Sequence, residues 1–156
     1  MCAVTLSPAT LLSQVQLDGL IFQLPIGIFV SDGAGQCLYV NGKWCELTKL
    51  STTEALGSGW VRSLHPEDRD RIVSAWSDAV ASSAPFEADF RYLTPDSVVS
   101  WVACRAVPIR GSSDRAAQYV GVLTDTTERL RLSRESERMK LFLDSIIEHI
   151  PAMLFV

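Results

Sequence analysis

The side chains with the most reactive chemistry in this 156-residue chain are four cysteines and two histidines. The cysteines are Cys2, Cys37, Cys45 and Cys104. They form no CxxC pair, and no histidine lies at zinc-finger spacing from any of them. The sequence therefore predicts no metal site. It indicates free thiols, which fit a reducing cytoplasm.

Of the two histidines, His65 could act as a metal or haem ligand and His149 as a phosphoacceptor. His65 directly precedes Pro66 and two acidic residues, a pattern typical of the start of a helix. We therefore interpret His65 as a structural junction and not as a metal or haem ligand. His149 lies in the segment Glu148-His149-Ile150-Pro151 and lacks the flanking pattern of a kinase dimerisation helix, so we do not expect phosphorylation there.

Acidic residues are the other side chains of this sequence that could act in catalysis. Asp68 and Asp70 fall at the predicted helix start, and Glu87 and Asp89 fall on the solvent face of a predicted strand. Neither a nucleophile nor a histidine accompanies them, and the chain has no GxSxG, P-loop or HExxH motif. The sequence therefore predicts a fragment without catalytic residues, which is not an enzyme by itself.

The composition, the net charge and the length of the apolar runs indicate which classes of protein this sequence can belong to. Hydrophobic residues make up 47% and charged residues 21%, which is typical of a soluble globular domain and not of a disordered chain. The net charge is −4 without a basic stripe, so no nucleic-acid partner is predicted. The start has no signal-peptide pattern, and no apolar run approaches the roughly 18 residues of a membrane span. We expect a cytoplasmic fragment without direct membrane contact, whose parent protein could carry membrane helices elsewhere.

Periodicity and turn residues predict the elements of the first half. Residues 1–24 contain an amphipathic helix that Pro25 ends. Two short strands, 26–30 and 37–40, meet at a hairpin turn formed by Asp32-Gly33, where positive φ is tolerated. Helices follow at 43–50, at the capping box Ser51-Thr52-Thr53-Glu54, and after His65.

The second half changes to a period of two beyond Pro85. Phe86, Ala88, Phe90 and Tyr92 alternate with charged residues, which predicts a half-buried antiparallel strand. A turn at 94–97 and strands at 98–107 and 118–124 complete a three-stranded meander. Two strands, several helices and three strands predict an α+β domain, at residues 25–125, with one antiparallel sheet.

A charged helix is predicted at residues 126–149. Leu132, Met139, Phe142, Ile146 and Ile150 fall close to one face of it. A helix this exposed either pairs with a second copy of itself or bridges two domains. We interpret residues 126–149 as a linker helix that leaves the sheet domain.

An internal repeat extends this organisation. Residues 18–30 align without gaps with residues 144–156, and both segments end in Phe-Val after a proline. The repeated pattern is a helix ended by proline and followed by the first strand of a sheet. Residues 150–156 are therefore interpreted as the start of a second, truncated domain of the same kind.

These features together resemble the PAS family of sensory domains, over about residues 17–129. The hairpin that ends at Asn41 is similar to the family's opening hairpin. Trp60 with His65-Pro66-Glu67-Asp68-Arg69 resembles the Trp…His-Pro-x-Asp-Arg pattern of one PAS subgroup, which also has a tryptophan at the strand position of Trp101. The segment Gly121–Arg129 resembles the family's closing strand and Asp-x-Thr junction.

The resemblance implies a five-stranded antiparallel sheet with helices on one face and a role as sensor and dimerisation module. Coupling to an output domain would run through Asp125, Thr126 and Thr127. A ligand pocket would be lined by Trp44, Thr48, Phe90 and Trp101, unless these are ordinary core residues. We expect a homodimer through the N-terminal and linker helices, and downstream PAS and output domains in the same chain.

The resemblance favours a histidine kinase as parent, with a diguanylate cyclase as the alternative. A ligand-free interaction or spacer module and a sensor carrying haem or flavin are further readings. The flavin-binding subgroup has its reactive cysteine in a segment that corresponds to Ala55–Leu64, which has no cysteine here. Haem and flavin are therefore not expected, whereas a small-molecule ligand is compatible with the sequence.

Overall fold

The computed structural model describes residues 25–110 and 116–149. The predicted N-terminal helix (1–24) and the predicted start of a second repeat (150–156) lie outside the described residues. The chain divides into two compact units between Asp125 and Thr126. The first unit contains the sheet and the helices that pack on it, and the second contains one long helix.

Five strands form a single antiparallel sheet. They are β1 (Gly27–Asp32), β2 (Cys37–Val40), β3 (Phe86–Leu93), β4 (Val99–Arg110) and β5 (Ala116–Asp125). Their order across the sheet is β2-β1-β5-β4-β3, so β1 and β5, the first and the last of the described strands, are neighbours. The predicted α+β fold with five antiparallel strands is confirmed.

Helices fill the connection between β2 and β3. They are α1 (Gly42–Thr48), α2 (Thr52–Ala55), a 3₁₀-helix (Gly59–Ser63) and α3 (Pro66–Ala81). The Asn41 side chain caps α1 by accepting from the Trp44 amide, and Ser51 with Glu54 forms the predicted capping box of α2. Helix α4 (Thr127–His149) follows β5 and belongs to the second unit.

The first hairpin differs in one detail from its prediction. The loop after Asp32 closes with a hydrogen bond from the Asp32 amide to the Gln36 carbonyl (2.9 Å). Positive φ occurs at Gly35 (83°) and not at Gly33, because the loop is longer than the Asp-Gly step suggested. A Cβ at Gly35 would also lie 2.8 Å from Trp76 Nε1, so close packing as well as backbone conformation requires glycine there.

The inner face of the sheet packs against α3 to form the core. On β3 the predicted alternation is confirmed, since Phe86, Phe90 and Tyr92 are buried while Glu87 and Asp89 are exposed. Tyr119 and Leu123 occupy the inner face of the central strand β5. From α3 the core receives Ile72, Trp76 and Ala79.

Trp76 joins α3 to three parts of the sheet. Its ring makes edge contacts with Phe29, Phe86 and Tyr119, at centroid distances of 6.1, 5.3 and 5.1 Å. Its indole N–H donates to the Gly35 carbonyl (3.0 Å). Aromatic edge contacts and a satisfied N–H together fix the orientation of the Trp76 side chain.

The amino end of α3 is fixed to β3 by a polar clamp. The Asp68 carboxylate accepts hydrogen bonds from the Arg91 amide (2.9 Å) and from Nε (2.9 Å) and Nη2 (2.8 Å) of its guanidinium. These bonds lower the pKa of Asp68 from 3.8 to about 2. The His65 amide donates to the Arg91 carbonyl (2.9 Å), and its ring Nδ1 accepts from Glu67 N (3.2 Å), which matches its interpretation as a structural junction.

The Asp68→Asn substitution is expected to lower the free energy of unfolding by about 1–3 kcal/mol at pH 7, because it removes the charge-assisted bonds between a buried carboxylate and the partly exposed Arg91. The folded pKa of Asp68 lies below its usual value, so the ionised form stabilises the native state above about pH 4. That contribution declines as the pH falls toward 2. Urea unfolding at pH 7, 5, 4 and 3 should therefore show the difference between the wild type and Asp68→Asn shrinking at the acid end.

Asp70→Asn is the matched control, since Asp70 is exposed on the same helix two residues further on. It should change the unfolding free energy by less than about 0.5 kcal/mol at every pH. An equal effect of the two substitutions would contradict the clamp.

Candidate functional site

A cavity of about 40 Å³ lies within the first unit, between the inner face of the sheet and the helices. Seven aromatic side chains line most of it: Phe29, Trp44, Trp60, Trp76, Phe86, Phe90 and Tyr92. The remaining lining residues are Ser31, Gly35, Cys37, Ile72, Cys104 and Leu123. None of these lining residues is an acid, a lysine, an arginine or a histidine, so the cavity is an apolar site.

Two of the four predicted pocket residues line this cavity, Trp44 from α1 and Phe90 from β3. Thr48 is buried but is not a lining residue. Its hydroxyl donates to the Trp44 carbonyl one turn earlier in α1 (3.0 Å), so its polar group is satisfied within the helix.

Trp101, the fourth predicted pocket residue, lies on the opposite face of the sheet. In β4 the buried positions are Val102, Cys104 and Ala106, and Trp101 pairs in register with Arg91. The Arg91 guanidinium stands over the Trp101 ring, 5.3 Å from its centroid. Trp101 is therefore corrected from a pocket residue to a residue of the outer face.

Sequence reasoning did not assign Tyr92, Trp76 and Trp60 to the pocket. The sequence contained the information needed for Tyr92, because the alternation of β3 places it on the same face as Phe90. The sequence places Trp76 in a helical apolar stripe with Ile72 and Ala79, which the structure buries. Its place at the cavity depends on the long-range packing of α3 on the sheet.

The titratable groups of the cavity are neutral at physiological pH. Burial raises the pKa of Cys104 to about 12 and also raises the pKa of Cys37. Burial likewise raises the pKa of the Tyr92 hydroxyl well above its usual value of 10. The two thiols are therefore poor nucleophiles, because the thiolate is the reactive form.

The size of the cavity limits what it can hold. A buried water needs about 10–15 Å³ of such volume, so 40 Å³ accommodates about three water-sized groups. Sites for drug-sized ligands and cofactors enclose roughly 300–1,000 Å³. Haem and flavin do not fit this core as it stands. Among the described residues, no three His, Cys, Asp or Glu side chains are grouped so that they could hold a metal ion.

The predicted coupling residues lie at the end of β5. Asp125 is the last residue of the strand, and Thr127 is the first of α4. The Thr126 carbonyl accepts the first hydrogen bond of that helix, from the Leu130 amide (2.9 Å). These residues are not part of the cavity, but Leu123, two positions before Asp125, lines it.

Asp125 also lines an open groove on the surface of the first unit. The groove measures about 400 Å³ and is bordered by α1, by the turn between β3 and β4, and by the end of β5. Its charged and polar lining residues are Lys43, Glu46, Lys49, Thr94, Asp96, Ser100 and Asp125. The groove mixes charges of both signs, unlike the neutral cavity.

None of the described helices combines the length and the apolar character that crossing a membrane requires.

Comparison with curated proteins finds histidine kinases and sensors. The chain is 27% identical over 123 residues to the peroxide stress-activated histidine kinase mak1 of Schizosaccharomyces pombe, covering 78% of this chain and 7% of that protein. It is 27% identical over 93 residues to the sensor protein FixL of Bradyrhizobium diazoefficiens, covering 60% of this chain and 18% of that protein. The chain spans between 7% and 29% of the length of the curated relatives it matches.

Comparison with solved structures agrees on the fold. A PAS domain of a protein from Colwellia psychrerythraea superimposes with a TM-score of 0.62 at 23% identity, covering 74% of this chain and 98% of that one. Residues 37–123, more than half of the chain, match the family described as the PAS fold. This match includes α3, four of the five described strands in whole or in large part, and every lining residue of the cavity except Phe29, Ser31 and Gly35. The chain therefore belongs to the PAS-fold family, as a sensory domain related to those of histidine kinases.

Proposed function

We propose that this domain senses a small molecule in its core cavity and relays the binding event to an output domain through β5 and α4. The observation that carries the proposal is the position of Leu123. It lines the cavity from the central strand, and that strand ends at Asp125, two residues before α4 begins. The same strand thus connects the cavity wall to the start of the exit helix.

Such a relay is driven by the difference between the ligand's binding free energies for the two states of the domain. A ligand shifts the output equilibrium only as far as its affinities for the two states differ. A bound group that presses on Leu123 acts on a strand that is hydrogen-bonded to both of its neighbours, β1 and β4. In this proposal Asp125, Thr126 and Thr127 transmit the change because they join the strand to the helix.

The second part of the proposal is that the domain works as a parallel homodimer through α4. Large apolar side chains of this helix are exposed, among them Leu132 (52%), Met139 (58%), Leu143 (50%) and Ile146 (39%). Their spacings of seven, four and three residues are those of coiled-coil core positions. In a parallel pair, this register places Glu135 of one copy near Lys140 of the other, an interhelical attraction of opposite charges.

Leu143→Lys is expected to raise the dissociation constant of the dimer at least tenfold, because it puts a charge into the apolar seam. Leu141→Lys is the matched control, since Leu141 is 70% exposed and lies on the opposite side of α4. Light scattering coupled to gel filtration over a concentration series gives both constants. A wild-type protein that stays monomeric at high concentration, or equal effects of the two lysines, would count against the dimer.

For the parent protein we propose a histidine kinase with a cytoplasmic PAS module. This rests on the relatives named as a histidine kinase and as sensors. Free thiols at Cys37, Cys45 and Cys104 support a reducing compartment. We also propose the Trp…His-Pro-x-Asp-Arg subgroup, because Asp68 and His65 of that motif both bond to Arg91 of β3 and so give the motif a structural role.

A thiol-based signal is the alternative that the relative's name raises, since mak1 is called peroxide stress-activated. The cavity thiols do not favour it here. Oxidation by peroxide proceeds through the thiolate, and burial raises the pKa of Cys104 to about 12. The second alternative is a spacer module without a ligand. A protein that forms the dimer but binds no small molecule would support it.

Cys37 and Cys104 are expected to react with N-ethylmaleimide at pH 7.5 at least 100-fold more slowly in the folded protein than in urea. Their burial (6% and 2% exposed) and raised pKa values both suppress the reaction. Mass spectrometry of proteolytic peptides follows each cysteine separately, with the partly exposed Cys45 as the internal reference. Rapid labelling of Cys104 in the folded protein would contradict this expectation and favour the hypothesis of a thiol-based signal.

A further inference from the structure

We infer that residues 8–24 of this chain cover the outer face of its own sheet, where they pack as a helix against apolar side chains of four strands. The inference goes beyond the proposed function and depends neither on a ligand nor on the α4 dimer. It is carried by an apolar patch that the strand register assembles on that face.

A row of four apolar residues crosses the outer face of the sheet. Tyr39 of β2 pairs with Val30 of β1, which pairs with Val120 of β5. Val120 pairs in turn with Val107 of β4. Because neighbouring strands lie about 4.8 Å apart, the row is about 14 Å long.

The alternation of the strands puts this row on the face away from the core. Successive side chains point to opposite faces of a sheet, and each residue of the row is next to a core-facing residue of its own strand. These core-facing neighbours are Phe29, Val40, Ala106 and Tyr119. Ile28 and Val122, which pair with each other, widen the row into an outer-face patch. The patch consists of Ile28, Val30, Tyr39, Val107, Val120 and Val122.

Much of the outer-face patch is open to solvent. Val107 is 56% exposed and Tyr39 is 46% exposed, while the other four residues are half-buried. Polar residues flank the patch, since Arg105 lies opposite Val122 and Gln118 lies next to Val120 at two residues' distance along β5. An exposed apolar patch with a polar rim is typical of an interaction site.

The N-terminal segment has the composition of a helix that needs an apolar cover. Asp18 is the only charged residue among residues 1–24. On a helix of 3.6 residues per turn, Leu11, Val15 and Phe22 fall within about 40° of one another. Most of the stability of such a helix comes from packing its apolar side against a second surface.

Composition distinguishes this segment from α4, the other helix that flanks the sheet in the sequence. Acidic and basic residues occur along α4 from Glu128 to Glu148. Packing it onto an apolar face would take some of these charges out of water, which costs free energy. The nearly uncharged N-terminal segment is therefore the better match for the patch.

The length and the attachment of the segment also fit. As a helix, residues 8–24 would span roughly 25 Å, enough to cross the whole row. Only Pro25 and Ile26 separate the segment from Gly27, where β1 begins. A tether this short keeps the segment at a high effective concentration beside its own sheet, which favours the same chain over a second copy.

Photocrosslinking from the patch identifies its occupant. Tyr39 is replaced by p-benzoylphenylalanine, and ¹⁴N- and ¹⁵N-labelled proteins are co-refolded from urea before irradiation. Mass spectrometry of chymotryptic peptides then shows which segments are joined and whether both come from one chain. We expect crosslinks from position 39 to residues 8–24 in which both peptides carry the same isotope. The absence of such crosslinks, or their occurrence only between light and heavy chains, would overturn the inference.

A charge in the patch should release the segment. In Val107→Asp, amide hydrogen exchange within residues 8–24 is expected to become at least tenfold faster, because docking would bury an unpaired carboxylate. Val98→Asp is the matched control, since Val98 is equally exposed (55%) but lies before β4 and outside the patch. It should change the exchange of residues 8–24 by less than twofold.

The peptides of β5, followed in the same measurement, show whether the sheet stays intact. Equal exchange of residues 8–24 in the two variants, with β5 still protected, would contradict the docking. If Val107→Asp does not fold, the crosslinks from position 39 still decide. Neither measurement requires a ligand or a dimer, so the inference and the proposed function can fail separately.

Discussion

Strand β5 is hydrogen-bonded along both edges, to β1 from Gly27 to Asp32 on one side and to β4 from Val102 to Arg110 on the other. In the order β2-β1-β5-β4-β3 it is the one described strand that joins the two halves of the sheet. The opening hairpin and the later meander therefore share a core only because the last strand lies between them. A central strand with two partners resists displacement, so a change in its position affects both halves.

Helix α3 closes the core against this sheet with different chemistry at its two ends. At the amino end, the Asp68 carboxylate holds Arg91 on β3 through charge-assisted bonds. Toward the carboxyl end, Trp76 makes aromatic contacts, and the Tyr119 hydroxyl donates to the Ala79 carbonyl at 3.0 Å. Helix α3 is therefore fixed to the sheet near both of its ends.

Local chemistry made much of this fold predictable. The caps at Ser51 and His65 and the turn at Thr94–Ser97 follow from residues within a few positions of each other. The clean alternation of β3 revealed its inner face. Strand β4 could not be oriented in the same way, because Trp101, Val102 and Val107 put apolar side chains on both faces.

The site was less predictable than the fold for a related reason. Asp68 and Arg91 are 23 residues apart, and Trp76 meets Gly35 across 41 residues. Contacts at such separations depend on the assembled sheet and leave no periodic signal. Trp44 and Phe90 were identified because a buried aromatic on a helix or an alternating strand faces the core by default.

Amide hydrogen exchange measures whether the cavity and α4 are coupled through β5. The exchange rates of Leu123 on β5 and of Leu130, whose amide makes the first bond of α4, are measured with and without xenon under pressure, a small apolar probe of the cavity. If the proposed relay operates, the bound probe changes both rates in the wild type, and its effect on Leu130 is lost in Asp125→Ala. Protection at Leu123 with an unchanged rate at Leu130 in the wild type would show that the cavity binds its ligand without signalling to the helix.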